Sequence, residues 1–73
     1  EVTIKQGHEL GYHVHQGDAE SYFILSGEAE YNDNGVIRTL KPGDSTYTPT
    51  GMGHSITNKC KEDLKFMALI IYD

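Results

Sequence analysis

Apolar and polar residues alternate along the chain in short runs, and clusters rich in Gly, Pro, Asn and Asp separate many of these runs. No window shows a helical period sustained over three turns, whereas short alternating runs between turn residues are typical of β-strands. We therefore predict eight strands, at residues 2–6, 11–15, 21–26, 28–32, 36–40, 45–48, 54–58 and 65–72. Strands this short and evenly spaced indicate an all-β antiparallel sandwich or barrel, which protects its strand edges by closing.

Two connections carry recognisable turn chemistry. Residues 32–35 read Asn-Asp-Asn-Gly, and these residue types tolerate the positive φ that a tight hairpin requires. Residues 41–44 read Lys-Pro-Gly-Asp, in which Pro presets φ at one position and Gly frees it at the next. We predict a hairpin turn at the first segment and a second turn at the other.

The strand predicted at residues 21–26 is apolar on both faces. If Glu20 points inward, Tyr22 and Ile24 do so as well, because every second side chain of a strand shares a face. Phe23 and Leu25 then point outward and need another cover. The strand at residues 65–72 has the same two-sided character. Exposed apolar patches usually mark an interface, so we expect a homodimer.

Length and charge limit the remaining possibilities. The chain has 73 residues with a formal net charge of -5, which predicts a single domain over residues 1–73. The acidic balance and six scattered basic residues argue against a nucleic-acid partner. No apolar run approaches the length of a membrane span and no leader opens the chain, so we expect a cytoplasmic protein without a membrane partner. Because the chain starts at Glu1 within an alternating run, we also expect it to lack some N-terminal residues.

The triplet His13-Val14-His15 carries the candidate chemistry. Histidines two residues apart in a strand lie on one face and can reach the same point above it. Glu20 follows His15 by five residues, and His54 lies at the start of another predicted strand. A metal site is one interpretation of the pair, and a solvated surface pair is the other.

The spacing around these residues extends to two longer motifs. In the first motif, gaps of five, four and six residues separate Gly7, His13-Val14-His15, Glu20 and Gly27. In the second, gaps of five, two and three residues separate Gly43, Pro49-Thr50-Gly51, His54 and Asn58. Together these strings resemble the two signature motifs of the cupin superfamily, without a departure at any fixed position. The resemblance implies a cupin-type antiparallel β-barrel, that is, a double-stranded β-helix or jelly roll.

The resemblance also implies that His13, His15, Glu20 and His54 are metal ligands. Three imidazoles and one carboxylate suit a divalent transition metal, namely Mn, Fe, Co, Ni, Cu or Zn. Four protein ligands leave room on an octahedral ion for dioxygen or a small oxygen-bearing ligand. We expect a mostly apolar pocket beside the ligands, formed by Tyr22, Ile24, Met52 and Ile56.

Three classes of function remain open on the sequence alone, of which a purely structural barrel with a vestigial site is the one that the intact ligand set favours least. The first is a small metal-dependent cupin that binds a small-molecule ligand or substrate and, if it is an enzyme, acts as a dioxygenase, decarboxylase or isomerase. The second is a non-enzymatic module that binds or senses a sugar or an organic acid. No residue selects the reaction, and the ligand set does not select the native metal.

Overall fold

The computed structural model describes residues 1–72 and consists of β-strands and their connections. Its eight strands are β1 (Val2–Ile4), β2 (Glu9–Val14), β3 (Asp18–Ser26), β4 (Ala29–Asp33), β5 (Val36–Leu40), β6 (Ser45–Thr48), β7 (Gly53–Thr57) and β8 (Leu64–Tyr72). They form two four-stranded sheets with the orders β1-β8-β3-β6 and β2-β7-β4-β5, and all the pairings are antiparallel. The predicted all-β jelly-roll class is confirmed. Asp73, the last residue of the predicted domain, lies outside the described residues.

The predicted strands are found in the predicted order, but several ends were wrong. The first strand stops at Ile4, two residues earlier than expected, because a turn follows in which His8 N–H donates to the Lys5 carbonyl at 3.1 Å. The third strand starts at Asp18 instead of residue 21, because its pairing with β8 continues to the partners Asp18 and Tyr72. Tertiary pairing therefore lengthens a strand beyond its apolar run.

The side chains between the two sheets form one hydrophobic core. Strand β3 supplies Tyr22 and Ile24 to it, whereas Phe23 and Leu25 lie on the outside, so the predicted sidedness of this strand is confirmed. The other buried members of the core come from five further strands: Ile4, Ala29, Tyr31, Leu40, Ile56, Leu64 and Phe66. Burial of these side chains supplies the main favourable free energy of folding.

Two glycines illustrate how the connections are built. Gly35 follows Asn34 in the β4–β5 hairpin, and both residues have positive φ, at 99° and 50°, as the turn prediction requires. Gly27 also has positive φ, and a Cβ placed there would lie 2.7 Å from the Asp63 carbonyl oxygen. The approach of the segment before β8 therefore requires a residue without a side chain at position 27.

The outer face of the β1-β8-β3-β6 sheet is strongly apolar. Phe23 and Leu25 of β3 are exposed there, together with Met67 and Leu69 of the adjacent strand β8. Phe23 lies directly opposite Met67 in the register of the two strands. The two strands predicted to have a second apolar face are therefore neighbours, and their outward residues form one surface. Within residues 1–72 there is no helix with the length and hydropathy to cross a bilayer.

Candidate metal centre

The four predicted ligands come from both sheets and meet at one point. His13 lies on β2 directly opposite His54 on β7, and Glu20 extends from β3 in the other sheet. His15 lies one residue beyond the end of β2. Its backbone is held by the connection before β7, because His15 N–H donates to the Met52 carbonyl at 3.1 Å and Gly51 N–H donates to the His15 carbonyl at 2.8 Å.

The separations between these side chains are short. The Nε2 atom of His54 lies 2.9 Å from Nε2 of His15, 3.0 Å from Nε2 of His13 and 2.9 Å from Oε1 of Glu20. Glu20 Oε1 is 3.1 Å from Nε2 of His15 and 3.6 Å from Nε2 of His13. The four side chains each offer one ligand atom, and these atoms all lie within 4.8 Å of one another. The structure therefore brings all four predicted ligands together.

The hydrogen-bond partners of Nδ1 in His13 and His15 determine which ring nitrogen carries the lone pair. The Gly11 carbonyl lies 2.9 Å from Nδ1 of His13, and an Asp18 carboxylate oxygen lies 3.2 Å from Nδ1 of His15. Both partners only accept hydrogen bonds, so a neutral imidazole at either position carries its proton on Nδ1. His13 and His15 consequently turn bare Nε2 lone pairs toward the Glu20 carboxylate.

His54 is the most enclosed member of the group, with no solvent exposure. Its ring stacks on Tyr22 with the centroids 4.9 Å apart and an interplanar angle of 15°. Its Nδ1 atom lies 2.8 Å from the Tyr31 hydroxyl and 2.9 Å from the Thr48 hydroxyl. Burial lowers the pKa of His54, the neighbouring His13 acts in the same direction, and Glu20 opposes the shift. The environment therefore favours the neutral imidazole that a metal requires.

Tyr22 connects this site to the core. Its hydroxyl lies 3.5 Å from Nε2 of His54. Burial raises the pKa of Tyr22 well above its ordinary value, and the negative charge of Glu20 adds to this effect. The phenol therefore stays protonated and can hold the carboxylate in place.

The four predicted pocket residues lie in different surroundings. Tyr22 contacts His54, and Ile24 and Ile56 are fully buried in the core. Met52 lies in the connection before β7 and is 39% exposed. Their role as ligand-contacting residues stays a prediction. A separate surface cavity of about 210 Å³ contains none of the four converging side chains; it is lined by Glu28, Ala29, Glu30, Thr39, Lys59 and Cys60.

Sequence reasoning missed three side chains that contact the Nδ1 atoms of His15 and His54. Asp18 follows His15 by three residues and contacts it at 3.2 Å, so its short spacing and its charge were available as a signal. Tyr31 and Thr48 belong to β4 and β6, far from His54 in sequence, and no local pattern connects them to it. Their role depends on how the two sheets pack.

The fold and the site together define a class of protein, a jelly roll whose two sheets bring three histidines and one glutamate together at a candidate metal site. The Cupin_2 family model, described as "Cupin domain", matches residues 1–72. The chain therefore belongs to the cupin family, as the two motifs predicted.

Similar proteins agree with this assignment. The chain is 45% identical over 70 residues to the oxalate-binding protein of Thermotoga maritima, covering 96% of this chain and 58% of that protein. It is 43% identical over 65 residues to the dimethylsulfoniopropionate lyase DddQ of Ruegeria pomeroyi, covering 86% of this chain and 31% of the lyase. The crystal structure of a predicted oxalate decarboxylase from Thermotoga maritima superposes with a TM-score of 0.94 at 41% identity, covering 97% of this chain and 62% of that one. The chain thus spans less than two thirds of each of these relatives.

Proposed function

We propose that this cupin binds one divalent transition metal ion through His13, His15, Glu20 and His54 and uses it to hold a small oxygen-bearing ligand. One observation supports the metal above all others. His13 and His15 point bare lone pairs at a carboxylate, because the outer nitrogen of each faces an acceptor. With all three imidazoles neutral, the four converging groups carry at most one proton among them, on His54, so a cation between them would relieve the repulsion of their lone pairs.

The spacing of the ligand atoms fits an ion with further positions to fill. Ligand atoms about 2.1 Å from an ion lie about 3.0 Å apart at a right angle and about 3.4 Å apart at the tetrahedral angle. Four of the separations given above lie between 2.9 and 3.1 Å. Most of the separations are thus close to the right-angle value, so the four residues would hold an ion and would leave further positions open to a bound molecule.

The open positions would face the side of His13. The His13 side chain is 42% exposed, whereas those of His15 and Glu20 are 7% and 11% exposed. A bound ion would act there as a Lewis acid. A small bidentate oxygen ligand such as a dicarboxylate fits two adjacent positions, and the name of the oxalate-binding relative supports this class.

Catalysis is the second candidate function. The Tyr22 hydroxyl lies 3.5 Å from Nε2 of His54 and is held protonated, so a phenolic proton donor stands beside the ligand atoms. Relatives described as a lyase and as a predicted decarboxylase support a reaction at this site. Binding without turnover and binding followed by decarboxylation or elimination use the same residues, so they are distinguished only by products.

The decisive experiment compares metal content in matched variants. Purified wild-type protein and His8→Ala are expected to retain about one metal ion per chain after dialysis, because His8 is exposed and lies outside the cluster. His13→Ala/His15→Ala is expected to retain none. Stoichiometric metal in that double variant would overturn the assignment. Calorimetric titration of oxalate into metal-loaded and chelator-treated protein then tests the ligand class, and chromatography of the titrated solution tests for turnover.

We also propose that the protein forms a homodimer through the apolar face formed by Phe23, Leu25, Met67 and Leu69. A second copy is the partner that this surface fits, because the four residues carry no charge. The four residues themselves therefore add no like-charge repulsion when two such faces meet, although the chain carries a net charge of -5. A closed two-fold dimer uses the same patch on both subunits and leaves no second patch free.

A further inference from the structure

The two hydroxyls behind His54 differ from the groups behind the other two histidines. Tyr31 Oη and Thr48 Oγ1 each lie within 2.9 Å of Nδ1 of His54 and are 2.9 Å from each other. All three residues are completely buried, so no water replaces a missing partner. A hydroxyl can either donate or accept, whereas the carbonyl behind His13 and the carboxylate behind His15 only accept.

This difference determines where a proton can be placed within the metal-free cluster. Neutral His13 and His15 need their protons on Nδ1, so neither can supply a proton to the centre. His54 alone can carry its proton on Nε2 without losing a hydrogen bond at Nδ1, because a hydroxyl then donates to that nitrogen. The Nε2 proton of His54 has an acceptor in Glu20 at 2.9 Å.

We propose, building on the metal site proposed above, that Tyr31 and Thr48 are positioning residues that let His54 change tautomer when the metal binds. Without metal, one of the hydroxyls donates to bare Nδ1, and the Nε2 proton goes to Glu20. With metal, Nε2 gives its lone pair to the ion and the imidazole proton moves to Nδ1. Nδ1–H then donates to one of the two hydroxyl oxygens, which can accept a hydrogen bond as well as donate one.

This arrangement gives both ring nitrogens of buried His54 a hydrogen-bond partner in the metal-free fold. If the group beside Nδ1 of His54 could only accept a hydrogen bond, the proton of neutral His54 would also have to lie on Nδ1, as in His13 and His15. The cluster would then be left with three lone pairs and a carboxylate and no proton between them. The hydroxyl pair removes this conflict while it keeps the ring fixed.

The first test measures the tautomer of His54 directly. Nitrogen chemical shifts distinguish protonated from bare imidazole nitrogens, so a histidine-labelled wild-type sample is recorded at pH 8 with chelator and again with one equivalent of Zn²⁺. The expected result is a bare Nδ1 on His54 with chelator and a protonated Nδ1 with Zn²⁺, while His13 and His15 keep protonated Nδ1 in both samples. A protonated Nδ1 on His54 in both samples would overturn the inference. This measurement requires no substitution and does not depend on whether a variant folds.

The second test removes the hydroxyls with side chains of similar shape. Tyr31→Phe/Thr48→Val is expected to lower Zn²⁺ affinity 10- to 100-fold, the usual effect of losing a hydrogen-bond partner behind a ligand. Tyr31→Phe/Thr48→Ser keeps one hydroxyl and is expected to recover most of the affinity. Competition with a chromophoric chelator gives the Zn²⁺ affinities, and circular dichroism checks the fold.

The outcomes separate this inference from the metal site on which it rests. Wild-type protein that takes up no Zn²⁺ would overturn the metal site and the tautomer change together. Wild-type protein that binds Zn²⁺, combined with a Phe/Val double variant of equal affinity, would leave the metal site standing and overturn the role of the hydroxyls. Failure of the Ser variant to recover affinity would also overturn it, because packing rather than the hydroxyl would then be responsible.

Discussion

Replacing His13 and His54 with Ala, one at a time, should separate metal binding from packing. Both changes remove one ligand, so both should lower metal affinity by more than the roughly 10- to 100-fold expected for a residue behind the ligands. Their effects on the metal-free protein should differ. The His13 side chain is 42% exposed, and its loss should change the free energy of unfolding by less than about 0.5 kcal/mol.

His54 should behave differently because it is part of the core. It has no solvent exposure, its ring stacks on Tyr22, and its Nδ1 contacts the hydroxyls of Tyr31 and Thr48. Truncation to Ala leaves a cavity and removes one partner from a buried hydrogen-bonded group, which together cost about 2 to 4 kcal/mol. A chain of 73 residues has a total stability of roughly 4 to 11 kcal/mol. The His54 change should therefore remove a large part of the stability.

Urea unfolding in the presence of chelator measures the free energy of unfolding of the metal-free proteins. Zn²⁺ titration of the folded proteins measures their metal affinity. His8→Ala is the control for both, since His8 is an exposed histidine outside the cluster. The reasoning would be refuted if His13→Ala destabilised the metal-free protein as much as His54→Ala does. It would also be refuted if His54→Ala left the free energy of unfolding unchanged.

Two further predictions concern the metal and the assembly. A metal ion that binds only the native state should raise the free energy of unfolding by roughly 2.7 kcal/mol at a hundredfold excess over its Kd. This gain should shrink in acid because protons compete with the metal for the imidazoles. A melting temperature that neither chelator nor Zn²⁺ changes would contradict this prediction. Light scattering of the wild-type protein at micromolar concentration should give the mass of a dimer. The Phe23→Glu variant should give the mass of a monomer, because it places a charge in the apolar face. Equal masses for the two proteins would contradict the proposed interface.

Only part of the ligand set could be predicted from local geometry, and the full set was implied by the resemblance to the cupin motifs. His13 and His15 follow a two-residue period, and Glu20 fixes the sidedness of Tyr22 and Ile24 on the same strand. The resemblance of the two motifs to the cupin signatures implied that His54 joins them, and the structure brings the four candidate ligand atoms within 4.8 Å of one another. The approximate positions of the eight strands along the chain were predicted from alternation and turn residues.

The supports of the ligands could not be predicted, because they depend on tertiary packing. Tyr31 and Thr48 reach His54 from strands β4 and β6, which belong to different sheets. Apolar alternation shows which way Tyr31 points but not which atom its hydroxyl meets. The start of β3 at Asp18 was missed for the same reason, since its pairing with Tyr72 comes from the far end of the chain.

The position of strand β2 would set the rate at which the candidate site releases a bound ion. The strand lies at the edge of its sheet next to β7, every one of its residues is exposed, and its pairing is irregular between Leu10 and His13. Such a strand can separate from its neighbour while the core stays folded. The residence time of a bound ion would then follow the opening rate of this one strand, and the backbone amides of β2 would exchange their hydrogens with solvent at a rate linked to ion release. Any neighbour that covers this edge would slow both processes together.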